Sequence, residues 1–273
     1  MAIWVLDLWP DTLVDLNIVN NKYLIKILRY IVKFIYDNCD LILVQSESFK
    51  KEISKITKSK CIYFPSWSED IIGDNVTKYA KEISLKEKKF KIIFTGNIGE
   101  AQSFESIVKC AKLLKNNNKI KWIIVGNGRW QKRLNDLIKK FNLEKNFQLI
   151  NNVPVTRIKS FFNHADGLLI SLKNKKTFTK TIPGKLQTYL SSGKPIIGMI
   201  SGEANKIIKN SKGGLVCEAD DYIGLKKLLI RFIKMSKNER KMYGINGKKY
   251  ANKYFNKNKN LNRLEKILIK YVK

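Results

Sequence analysis

The chain has 273 residues, enough for one large or two modest domains. Hydrophobic residues make up 44% and aromatic residues 11%, which excludes an intrinsically disordered chain and leaves a globular one with a sizeable core. With 53 Lys and Arg against 23 Asp and Glu, the net charge of +30 suits nucleic acid, an anionic membrane face or a phosphate-rich substrate, and equally a compositional bias, since Lys, Asn and Ile are abundant throughout.

The chain opens on an apolar strand, Ala2 to Asp7, and a loop from Leu8 to Asp11. Such a start leads us to expect no signal peptide. Tyr23 to Tyr36 has helical spacing, with Lys22, Lys26, Arg29 and Lys33 on one face; it reads either as an interfacial helix or as a core helix with a solvated stripe. Asp40 to Gln45 is a buried strand, Ser46 caps the next helix, and Cys61 to Phe64 is another short strand. Pro65 to Lys89 lacks an apolar period and reads as a linker. Two strand–glycine–helix units follow: Phe90 to Thr95 with the loop Gly96-Asn97-Ile98-Gly99, and Lys121 to Val125 with Gly126-Asn127-Gly128. Such glycines serve a phosphate loop or any tight βα turn. Beyond them lie helices near Trp130 to Phe141 and Val155 to Asn163, with the strand Phe147 to Ile150 between.

The stretch Ala165 to Glu203 reads as strand, basic loop, helix, strand. Pro183 suits the first turn of the helix, Leu186, Tyr189 and Leu190 share one side of it, and Gly193 ends it before the strand Ile196 to Ile200. A loop and helix N-terminus at the carboxyl end of a parallel strand suit a phosphate, and Lys173, Lys175, Lys176, Lys180 and Lys185 crowd the same place. The plainer reading is one more β-loop-α-β unit with a solvated loop. The strand Leu215 to Cys217 and three helices close the chain. Four scattered cysteines with no CxxC pairing argue against a metal or disulfide framework and for a cytosolic setting. The single histidine, His164, reads as a surface or packing residue, and no apolar run spans a bilayer. The fold class is α/β. The ranges 1–75, 76–255 and 256–273 read as a partial Rossmann-like domain, a complete one, and a terminal helix that packs back on the first.

Six landmarks in order resemble bacterial glycosyltransferases of family 4, with the two-Rossmann GT-B fold: DLWPDT, DLILVQSESFKKEI, FPSWSED, GNIGEAQ, IVGNGR and TIPGKLQTYLSSGKPI. They point to the branch with amino-sugar transferases of O-antigen and capsule assembly. The resemblance implies a retaining transfer of sugar from a nucleoside-diphosphate sugar, UDP-linked in the first instance, with no obligatory metal and no cofactor. The acceptor it implies is a polyprenyl-diphosphate-linked saccharide at the inner face of the plasma membrane; the basic surface and the Tyr23–Tyr36 helix are expected to hold the chain there against anionic lipid. Carried over residue by residue, it puts the donor on Gly96, Asn97, Gly99, Gln102, Gly126, Asn127, Lys180, Ile182, Pro183, Lys185, Thr188 and Glu203. It turns Asp7 toward the acceptor side, where the carboxylate is either catalytic or a cap on the following turn. Lys180 and Thr188 stand where many members carry paired glutamates, and Asn97 and Gln102 where many carry Arg and Lys. A complete enzyme of this kind has roughly a hundred further N-terminal residues, a small domain's worth. An active enzyme is therefore expected, or else a shortened remnant or half of a split enzyme that only binds nucleotide-sugar. No nucleic-acid motif is present, and nucleic acid is not an expected partner.

Overall fold

The computed structural model describes residues 1–68, 79–117 and 119–271. Two parallel sheets organise it. The first holds β1 (Ala2–Val5), β2 (Leu41–Val44) and β3 (Lys60–Tyr63) in that order. Between them run α1 (Asp11–Asp15), α2 (Lys22–Asp37) and α3 (Glu47–Ile53). The second holds β4 (Phe90–Thr95), β5 (Ile120–Val125), β6 (Phe147–Ile150), β7 (Gly167–Ser171), β8 (Ile196–Met199) and β9 (Gly214–Cys217), in the order β6-β5-β4-β7-β8-β9. Its helices are α4 (Phe104–Leu113), α5 (Gln131–Lys140), α6 (Ile158–His164), α7 (Lys176–Lys180), α8 (Lys185–Ser191), α9 (Glu203–Ser211), α10 (Tyr222–Lys234) and α11 (Lys237–Tyr254).

Both sheets are covered on two faces, which is why their strands read as unbroken apolar runs. Alternation along each strand divides the core. Ile92, Phe94, Ile124 and Leu169 join α4, α5 and α10 on one side, while Ile93, Ile123, Leu168 and Ile170 join α6, α8 and α9 on the other. In the smaller sheet, Ile42 and Val44 pack with Tyr36, Phe49 and Ile53 of α2 and α3. Leu41 and Leu43 face the opposite way and are covered by α12 (Lys257–Tyr271), through Leu264, Ile267, Leu268 and Tyr271. Arg263 fastens that helix, donating to the Tyr63 carbonyl at 2.8 Å, and Ser68 bonds the Phe255 carbonyl through its N–H and its hydroxyl.

Several local expectations change. The stretch after Leu8 contains the one-turn helix α1, and the basic loop contains α7. Neither has the length for a periodic signature. Instead α7 is capped from α1: the Thr177 N–H and hydroxyl both donate to Asp15 Oδ2, at 2.9 and 2.6 Å. Pro183 lies in a turn closed by the Leu186 N–H on its carbonyl at 2.8 Å, so α8 begins two residues later. Residues 69–78 of the expected linker, with the end of FPSWSED, lie outside the described residues. The part from Tyr79 to Lys89 is anchored rather than loose: Ala80 and Ile83 enter the core, and Glu82 receives two bonds from Arg157 at 2.7 and 2.8 Å. His164 is buried, its Nε2 2.9 Å from the Ala80 carbonyl, and burial holds its pKa below the ordinary value.

Because α12 is the second cover of the small sheet, Leu264→Ala with Leu268→Ala should cost roughly 2–4 kcal/mol, about what one fully buried leucine costs, since both side chains are only partly buried. Amide exchange should quicken in β1, β2 and β3 while β4 to β9 keep their protection, as read by hydrogen-exchange mass spectrometry.

Candidate functional site

The order of the larger sheet reverses at β4. The chain leaves β4 toward β5 and β6 and returns to β7 on the other side, so the crevice for a ligand opens beyond the carboxyl ends of β4 and β7. The loops there are joined to each other. The Lys173 N–H donates to the Ala101 carbonyl at 2.8 Å, and the Ser171 hydroxyl to the Gln102 carbonyl at 2.6 Å.

Lys185 reaches into this crevice from the first turn of α8. Four residues on, Tyr189 lies on the same face of the helix and is fully buried; its hydroxyl accepts from the Thr95 N–H at 2.9 Å and fixes the helix to the end of β4. That places the Lys185 Nζ 3.7 Å from the centroid of the Phe94 ring and 3.3 Å from Gln102 Oε1. Among the described residues no carboxylate pairs with it. The residue as a whole is only partly buried, yet its ammonium is desolvated, and burial lowers its pKa to about 7.

The glycines divide into two uses. A Cβ on Gly96 would point at the Lys185 Nζ from 3.4 Å, so its bareness keeps open the space over the ammonium. A Cβ on Gly126, by contrast, would stand 2.0 Å from the Gly96 carbonyl oxygen, and one on Gly128 2.2 Å from that of Ile98. At these two the missing Cβ admits the packing of one loop on the next. Asn97 fills the space between Gly99 and Gly128, and Asn127 accepts from the Asn152 N–H at 3.2 Å.

The remaining expected residues meet the smaller lobe. The Ile182 N–H, expected to be open at the helix entrance, donates to Gln45 Oε1 at 3.1 Å. Pro183 has no N–H, so the open amides of the entrance are those of Gly184 and Lys185, which no acceptor pairs among the described residues. Lys180 forms an ion pair with Glu52 at 3.1 Å, and its carbonyl accepts from Ser46 at 2.7 Å. Glu203, at the first turn of α9, accepts from the Ser48 hydroxyl at 2.5 Å. Gly202 before it has φ +75°, and a Cβ there would lie 1.7 Å from the Thr179 carbonyl oxygen. Thr188 is half-buried on α8. Asp7 is exposed, with a pKa raised by partial desolvation, and no hydrogen bond or ion pair ties it to the Lys185 cluster.

Sequence reading missed Phe94, Gln45 and Ser48. The run Gln45-Ser46-Glu47-Ser48, polar residues just past a fully apolar strand, was the available signal for the last two. Among the described residues no group of three or more His, Cys, Asp or Glu side chains converges.

Gly126 has φ +144° as well as a carbonyl in the place of its Cβ, so Gly126→Ala should lower stability by roughly 2–4 kcal/mol. Gly184 has nothing within 4 Å of its Cβ position and φ −55°, so Gly184→Ala should be neutral or slightly stabilising. Urea unfolding of the two variants checks the contrast.

Residues 75–250 match the family "Glycosyl transferases group 1". The Escherichia coli (strain K12) protein named "Putative colanic acid biosynthesis glycosyl transferase WcaI" is 26% identical over 163 residues, a match covering 57% of this chain and 39% of that protein. Among solved structures, sucrose-phosphate synthase from Thermosynechococcus elongatus superposes with a TM-score of 0.76 at 13% identity, over 94% of this chain and 65% of that one. Anabaena Alr3699/HepE in complex with UDP and glucose superposes with a TM-score of 0.73 at 12% identity, over 98% of this chain and 70% of that one. The likeness to the solved structures is one of fold, the GT-B arrangement of two parallel α/β sheets. The family match, spanning the larger sheet with its crevice and Lys185, shows that this chain belongs to the group 1 glycosyl transferases.

Proposed function

We propose that this chain takes part in transferring a sugar from a nucleoside-diphosphate sugar, with retained anomeric configuration, to a saccharide acceptor carried on a polyprenyl diphosphate at the inner membrane face, in surface-polysaccharide assembly. The observation that carries this reading is Lys185. When a glycosidic bond to a nucleoside diphosphate breaks, negative charge grows on the leaving phosphate oxygens. An ammonium already stripped of water, with no carboxylate to neutralise it, stabilises that charge more than a solvated lysine would. The space above it is kept clear by Gly96, and the free N–H groups of Gly184 and Lys185 lie at the same end of α8. UDP is the nucleotide chosen for the first test because the Anabaena neighbour is named as a complex with it. An N-acetylated amino sugar is the donor class that the sequence landmarks favour, and Glu203 at the crevice edge is its candidate contact. Asp7 is proposed on the acceptor side, on the opposite lobe.

Calorimetry with UDP tests the donor site, and a turnover assay with UDP-sugars tests transfer. UDP should bind, and more weakly as pH rises from about 7 to 9, because the bound anion favours the charged ammonium that free Lys185 loses over that range. Lys185→Met should weaken binding roughly tenfold or more and abolish this pH dependence, the loss expected for a charge-assisted contact to phosphate. The same variant should unfold at a higher temperature at pH 7. An unfolded lysine holds its proton up to about pH 10.4, so the cost of burying Lys185 is complete below pH 7 and fades above it. Absence of UDP binding would overturn the reading. Binding without turnover would make this chain a nucleotide-sugar-binding part.

A further inference from the structure

The helix α2 carries apolar side chains on a face that the fold does not use. With 100° between successive residues, Ile25, Leu28, Val32 and Tyr36 line the side turned toward the sheet, where they are the least exposed residues of the helix. Tyr23, Ile27, Tyr30 and Phe34 project from the opposite side, at 82%, 56%, 73% and 62% exposure. On the flank toward β1, Leu24, Ile31 and Ile35 are exposed as well. The other flank is basic: Lys22 and Lys26 have no ion partner among the described residues, Arg29 pairs with Asp11 at 2.7 Å, and Lys33 with Asp37 at 2.6 Å.

Position in the layer separates two explanations. β1 is an edge strand, and a further α/β unit beside it would lay its helix along the Leu24–Ile31–Ile35 flank. No extension of the sheet reaches the side of α2 that points away from it. A continued sheet therefore does not account for the exposure of Tyr23, Ile27, Tyr30 and Phe34. Four large apolar residues in one row form a patch of the kind that marks an interaction surface, not scattered surface hydrophobicity. Its occupant must accept aromatic and aliphatic side chains next to free lysine ammoniums. A second copy of this chain suits it poorly, since each copy carries +30.

We infer that α2 is a membrane-docking helix: Tyr23, Ile27, Tyr30 and Phe34 enter the headgroup–acyl boundary of an anionic phospholipid surface, and Lys22 and Lys26 meet its phosphates. This deepens the membrane placement proposed above by naming the element responsible, and it is independent of the donor chemistry, since the outward row of α2 lies away from the crevice, toward which α2 turns only Arg29 and Tyr36, beside Lys176 and Lys180.

The test is flotation of the full chain with phosphatidylcholine vesicles, with and without phosphatidylglycerol, alongside UDP calorimetry and gel filtration. The wild type should float with the phosphatidylglycerol vesicles. Tyr30→Ser with Phe34→Ser should lower partitioning roughly tenfold or more, as removal of two large apolar groups from a lipid interface requires. Lys22→Glu with Lys26→Glu should lower it on the anionic vesicles alone, and every variant should bind UDP as the wild type does. The inference fails if the wild type ignores both vesicles, or if Tyr30→Ser with Phe34→Ser floats unchanged. It fails equally if the patch holds a dimer that this double variant breaks. UDP binding lost in the wild type while flotation persists would overturn the transferase reading and leave this one standing.

Discussion

An ammonium held against an aromatic ring, with one amide oxygen beside it and no carboxylate, is the constraint from which the rest of the larger lobe can be understood. Lys185 can be kept there only if α8 is fixed over the end of β4, which the buried bond between Tyr189 and Thr95 achieves. The loop after β4 must leave space over the charge, and Gly96 leaves it. That loop must also not collapse into the space, and the backbone packing of Gly126 and Gly128 against it provides the wall. A desolvated cation lowers the stability of the unliganded chain and raises the reward for binding an anion, the usual exchange between stability and function at a site.

The smaller lobe closes on the same region by polar contacts from one turn. Gln45, Ser46 and Ser48 lie where β2 passes into α3, and they bond Ile182, Lys180 and Glu203 across the crevice. Glu52 adds its ion pair with Lys180. Each contact is small on its own, since partly exposed ion pairs and single hydrogen bonds contribute little net stability. Together they hold the two sheets against each other at the crevice, and they occupy one amide of the entrance to α8.

Much of this was legible in the residues. The strands announced themselves as apolar runs because both sheets are covered on two faces. Gly96 and Lys185 were singled out from glycine and lysine placement and Gln102 from the family resemblance, and the structure brings those three together. Gly126 and Asn127 were singled out with them, and in the structure they take part in loop packing. A glycine that admits a ligand and a glycine that admits a neighbouring backbone look identical in sequence, since both are simply positions without a Cβ. The helix α7 was invisible because its cap is a carboxylate from α1, and α8 began later than Pro183 suggested because a turn closes first.

What the sequence alone determined is therefore local: strand and helix periods, the ordered landmarks of a sugar-transferring family, and an α2 whose apolar residues exceed what one buried stripe needs. The tertiary structure decided which of those apolar residues face outward, which side of the small sheet α12 covers, and that Gln45 takes the Ile182 amide from 137 positions away in the chain. The physical reason is that backbone periodicity repeats every two or 3.6 residues and leaves its imprint on neighbouring letters. A contact between distant segments has no period, and it exists only once both sheets have formed and their loops have met.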